Sequence, residues 1–137
     1  MAIAACGDDS DAGDGGDATG LPSAITCGVY YRPLGDASTD GAIERTVALA
    51  TADGGAAEQS TEFDTMSFAV RSFSDAGEGD SVSVSVATSD GTALTSVLYQ
   101  LGSFDLADVA FSGGHGFTGL HYVDHEGAQL QFWCGAR

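Results

Sequence analysis

From Leu21 to the C-terminus, apolar and polar residues alternate with a period of two, and no stretch longer than a turn or two keeps helical spacing. The alternation predicts strands near 24–33, 43–51, 64–73, 81–88, 93–101, 105–111, 117–123 and 128–134. Between them lie runs of Gly, Asp and Ser, such as Gly35 to Gly41 and Ser74 to Asp80. Pro33 closes the first strand, because it has no N–H to give to a ladder.

Large apolar residues of paired strands must share a face, so parity alone registers two hairpins. In Ser81 to Leu101, the set Val82, Val84, Val86, Leu94 and Leu98 turns inward if residue 86 faces 94, which leaves the three-residue loop Ser89-Asp90-Gly91. In the last hairpin, Leu120 and Tyr122 join Leu130 and Phe132 across the loop His125-Glu126-Gly127. Each loop ends in Gly, the residue a left-handed turn position favours. The expected fold is all-β, an antiparallel β-sandwich of about eight strands, with a small closed β-barrel as the alternative.

The chain has 137 residues, of which 43% are apolar, including seven Phe, four Tyr and one Trp. That suffices for one interior over residues 21–137. Residues 1–20 differ: after Ile3 they hold no large apolar side chain and cannot offset the entropy of ordering.

Charge narrows the range of partners. Twenty Asp and Glu stand against four Arg and no Lys, for a net charge of −16. Such a field repels nucleic acid and anionic lipid, and favours cationic partners or life in high salt. Nucleic acid is therefore not an expected partner.

Ile3-Ala4-Ala5-Cys6 resembles the lipobox of bacterial lipoproteins, an apolar residue and two small ones ahead of the cysteine that receives lipid. Gly7 to Gly20 then reads as a solvated, self-repelling spacer. The resemblance implies lipidation at Cys6 and a membrane partner held through that anchor, on the extracellular face of the cell membrane or in the periplasm. Met1-Ala2 cannot supply the basic and apolar segments of an export leader, so the reading frame is expected to extend upstream. The competing reading is a cytosolic protein with a low-complexity tail, in which Cys6 is a free thiol. The tail's Asp spacing is a poor calcium loop, with Gly13 at a ligand position and no closing Glu.

Cys27 and Cys134 lie in the first and last predicted strands and share their inward parity, which suggests a disulfide clasp and leaves Cys6 unpaired. A bridge closing about 100 residues is worth on the order of 4.7 kcal/mol in the chain-entropy model. Cysteines linking the chain ends are similar in layout to those of small mycobacterial lipoprotein antigens, lipid-tethered β domains. That likeness carries no function across.

The chemistry is sparse. There is no Gly-x-Ser-x-Gly elbow, phosphate loop, dinucleotide fingerprint or His-Glu-x-x-His, so neither an enzyme nor a cofactor is expected. His115, His121 and His125 fall close together, but His121 and His125 are about 13 Å apart along a strand, too far to share a metal. Gly113-Gly114-His115-Gly116 has no helix behind it to make a phosphate cradle. Parity does send Tyr30, Tyr99, His121, Gln131 and Trp133 outward, on the sheet face opposite the disulfide. Rings beside amide and imidazole groups suit a glycan or an extended peptide. The competing reading has the loop from Gly102 to Gly116 cover that face. A cationic protein is a further partner on electrostatic grounds, although the lysine used by lysozyme-inhibitor lipoproteins is absent. The functional expectation is a lipid-tethered exported binding module. The alternatives are a structural envelope protein or antigen without a specific ligand, and a hydrolase or metal-dependent enzyme on an unfamiliar scaffold.

Overall fold

The computed structural model describes residues 22–34, 39–51, 56–75, 79–100 and 114–136. Among these described residues there are eight strands: β1 (Ala24–Arg32), β2 (Ile43–Ala50), β3 (Ala56–Glu62), β4 (Met66–Asp75), β5 (Gly79–Thr88), β6 (Ala93–Gln100), β7 (His121–His125) and β8 (Ala128–Ala136). They form two four-stranded antiparallel sheets, ordered β2-β1-β8-β7 and β3-β4-β5-β6. The architecture is a β-sandwich, and the sheets do not close into a barrel.

Alternation produces the core. On β1 the odd positions Ile25, Cys27, Val29 and Tyr31 are buried, as are Leu130, Phe132 and Cys134 on β8. The facing sheet contributes Met66, Phe68 and Val70 from β4 and Val82, Val84 and Val86 from β5. The Phe68 and Phe132 rings meet across the interface with centroids 5.3 Å apart. Full burial of each such side chain contributes about 1.5–3 kcal/mol.

The two long sides of the sandwich are fastened differently. On the side formed by β2 and β3, the Arg45 guanidinium donates to Thr61 Oγ1 (2.7 Å) and to the Glu62 carbonyl (3.0 Å), over the Phe63 ring. Tyr31 stacks on Phe63 and shares a 2.9 Å hydrogen bond with Thr65 Oγ1. On the opposite side, Tyr99 of β6 meets Phe117 edge-on at 5.5 Å and approaches His121 of β7. Phe117 N donates to the Cys134 carbonyl (2.9 Å), and Thr118 Oγ1 accepts from Cys134 N (2.8 Å). Gly116 is required there: a Cβ would stand 2.1 Å from the Cys134 carbonyl oxygen.

Four expectations are corrected. First, Ala56–Glu62 is a strand that the apolar pattern did not announce, because it is an edge strand holding no large apolar residue. Second, the loop Ser89-Asp90-Gly91 forms as expected, with Gly91 at φ +92°, but Leu94 is an extra residue on β6 between the partners of Val86 and Ala87. This bulge moves every later residue of β6 to the other face. Val97 and Tyr99 therefore face inward, opposite Val84 and Val82, and Leu98 is 57% exposed. Third, the last hairpin turns on two residues, Glu126 (φ +48°) and Gly127 (φ +81°), a pair of left-handed positions matched to strand twist. His121 then lies opposite Phe132 and Val123 opposite Leu130, while Tyr122 turns outward. Fourth, β7 begins only at His121, so residues 117–120 are not strand. The expected strand 105–111 lies outside the described residues, as do Cys6 and the tail.

Candidate functional site

The outer face of the β2-β1-β8-β7 sheet gathers the chemistry. Cross-strand pairing sets Tyr30 of β1 and Tyr122 of β7 on either side of Gln131 of β8, in one row across three adjacent strands. Two residues farther along β8, Trp133 is paired with Gly28. An added Cβ on Gly28 would stand 2.3 Å from Trp133 Cζ2 and 2.6 and 2.7 Å from Cε2 and Cη2, the two atoms bonded to it. Such similar distances place the glycine under the ring face, since an edge-on approach would leave the flanking atoms much farther away. The indole thus lies flat over β1, in space that any other residue at position 28 would fill. His115 meets it at 79°, with centroids 5.6 Å apart.

Beside the rings runs a hydrogen-bonded ladder. Gln129 Oε1 accepts from Arg32 (2.7 Å) and from Gln131 Nε2 (2.9 Å), and Gln129 Nε2 donates to Asp124 Oδ1 (3.0 Å). An arginine can only donate and a carboxylate only accepts, so the ladder fixes the orientation of the Gln129 amide. It also turns the Gln131 carbonyl away from Gln129.

Of the residues that parity assigned to this face, Tyr30, Gln131 and Trp133 are on it. Tyr99 and His121 are not: they lie between the sheets, through the β6 bulge and the two-residue turn. The imidazole stacks on Phe132, and its Nε2 donates to the Thr118 carbonyl (2.9 Å), with Tyr99 Oη at 3.4 Å. Burial pushes the Tyr99 hydroxyl above the usual tyrosine range. Sequence reasoning missed Tyr122, Arg32, Gln129 and His115. The signal for Tyr122 was present in Glu126-Gly127, which reads equally as a two-residue turn. Comparison with known proteins finds no matching family model, curated protein or solved structure.

The histidines are dispersed. His115 is on Trp133, His121 on Phe132, and His125 at the hairpin end, 3.7 Å from Glu126. Among the described residues, no three His, Cys, Asp or Glu gather as a metal set. Cys27 and Cys134 are paired across β1 and β8 on the inner side of this same sheet, their sulfurs 2.09 Å apart at bonding distance.

Proposed function

We propose that this protein is a lipid-tethered exported binding module of the bacterial envelope, with the outer face of the β2-β1-β8-β7 sheet as its ligand surface. The observation that carries the reading is Trp133 laid flat over Gly28 beside Tyr30, Gln131 and Tyr122. A flat ring close to half-buried amides and a phenol offers an apolar surface and hydrogen-bonding groups to one ligand. The lipobox-like Ile3-Ala4-Ala5-Cys6, the spacer after it and the Cys27–Cys134 pair support an oxidising location outside the cytosol.

Two measurements test the two halves. In the producing organism, a labelled fatty acid is expected to enter the wild-type protein and not the Cys6→Ser variant; equal labelling would remove the tether. On an immobilised full chain, a component of the cell surroundings should be retained by wild type and lost with Trp133→Ala at unchanged melting temperature. Retention of no protein, glycan or small ligand, together with altered envelope permeability on gene deletion, would point to a structural role instead.

A further inference from the structure

We infer that the ligand of this face is an uncharged polysaccharide, stacked on Trp133, Tyr30 and Tyr122 and hydrogen-bonded by the amides between them. The inference rests on reading the face as a binding surface, and adds the class of ligand. Neighbouring strands lie about 4.8 Å apart, so the attachment points of Tyr30 and Tyr122 are about 9.5 Å from each other, with Gln131 midway. Trp133 stands about 7 Å farther along β8. A pyranose has C–H faces that lie on aromatic rings and equatorial hydroxyls at its rim. Three rings around one amide present both kinds of partner to successive sugars of a chain.

Charge and backbone pairing decide against the other ligands. Among described residues the face carries Arg32, Glu44 and Asp124, and the ladder through Gln129 joins the first to the third. A polyanion meets a molecule of net charge −16 with one arginine on this face, already bonded to Gln129. The acids of this face give a cationic protein little: Glu44 pairs with Tyr30 but stands on the edge strand β2, at the margin of the rings, and Asp124 already accepts from Gln129. An extended peptide binds a sheet chiefly by adding a strand to an open edge. The strands that bear Tyr30, Gln131 and Trp133 are paired on each side; of the rings, Tyr122 alone stands on an edge strand, β7, so a strand added there would lie beside one ring and two strands away from Tyr30. What remains on offer is side chains alone, three rings and two oriented amides, without net charge of their own.

Trp133 is the one tryptophan of the chain, so its emission reports directly on this face. The full-length oxidised protein is titrated with soluble β-1,3- and β-1,4-glucans, xylan, mannan and chitin oligosaccharides, and with polygalacturonate and oligolysine as charged probes. At least one neutral polysaccharide should change the Trp133 emission saturably, with an affinity little altered by salt. Tyr122→Ala removes a ring that is 58% exposed, so the fold should keep its melting temperature while affinity falls about tenfold. Gly28→Ala, which lifts the indole without deleting it, should weaken binding similarly. If only polygalacturonate or oligolysine perturbs Trp133, in a manner sensitive to Tyr122→Ala, the face binds ligand and the neutral polysaccharide is the wrong class. If a neutral polysaccharide binds but Tyr122→Ala and Gly28→Ala leave its affinity unchanged, the site is elsewhere and the inference fails with the face. No emission change with any neutral polysaccharide also overturns it.

Discussion

The His121 imidazole lies on the Phe132 ring with centroids 4.9 Å apart and planes 4° from parallel, on the inner side of the sandwich. A residue usually read as polar chemistry serves here as a flat ring at the seam between β6 and β7, with its Nε2 proton given to the Thr118 carbonyl. His121→Ala removes the stack and leaves that buried carbonyl without its donor, an expected loss of roughly 1–3 kcal/mol. His121→Phe keeps the stack and should lose less. Urea denaturation of the two variants decides it: equal stabilities would mean the ring contact contributes nothing.

Tyr99 makes the same seam sensitive to alkali. Burial raises its pKa in the folded state, while in the unfolded chain it ionises near the ordinary value of about 10. The unfolded state therefore releases a proton first. Stability is fully present below about pH 10 and falls as pH rises from there through the folded pKa. Tyr99→Phe should lose less stability than wild type between pH 9 and roughly 11, the other tyrosines being common to both. Parallel stability curves for the two proteins would refute the assignment.

The last hairpin holds Glu126 at φ +48°, a conformation an L-residue with a long side chain adopts at a cost. Asn tolerates it, and Asn-Gly is the favoured pair for this two-residue turn. Glu126→Asn is expected to stabilise the protein by about 0.5–1 kcal/mol and to raise the melting temperature by several degrees. A lower melting temperature would mean that Glu126 makes contacts worth more than the backbone relief.

The Cys27–Cys134 pair spans 107 residues of sequence. Peptide mapping without reductant should recover the two strands joined. Replacing both cysteines by Ala should cost about 2–5 kcal/mol, the usual loss for a bridge of a small secreted domain. Free thiols at both positions in oxidised protein would contradict the pairing.

How far the sequence could be read depends on what each signal averages over. Alternation along Ile25 to Tyr31 and Val82 to Val86 identified buried strands, because each run is uninterrupted and its large residues share one parity. The same argument extended past Leu94 failed, since parity counts residues and a bulge adds one without changing composition. Tyr99 and Leu98 exchanged faces for that reason. In the last hairpin, a loop of two or of three residues both end in Gly127, and only the stacking of His121 on Phe132 shows why the shorter one suits the core. Ala56–Glu62 left no signal, because an edge strand of small and polar residues has the composition of a loop. Half of the candidate face followed from β1 and β8, whose register is simple. Tyr122 did not, because its strand hangs on the turn.

One mechanical consequence follows from joining Cys27 to Cys134. β1 and β8 run side by side in opposite directions, with Ile25 beside Ala136, so both chain ends leave the same end of the sheet. Tension between those ends would peel the two strands apart one residue pair at a time, a mode of opening that hydrogen bonds resist poorly. Peeling stops after Ile25–Ala136 and Thr26–Gly135, at the sulfur bridge. β2 through β7 lie inside the covalent ring and cannot be drawn out by pulling on the termini. A load applied at Tyr30 or Trp133 and resisted by a segment ahead of Ala24 would pass through β1, a strand held by neighbours on both sides. Such a load shears β1 along its length and does not unravel the domain.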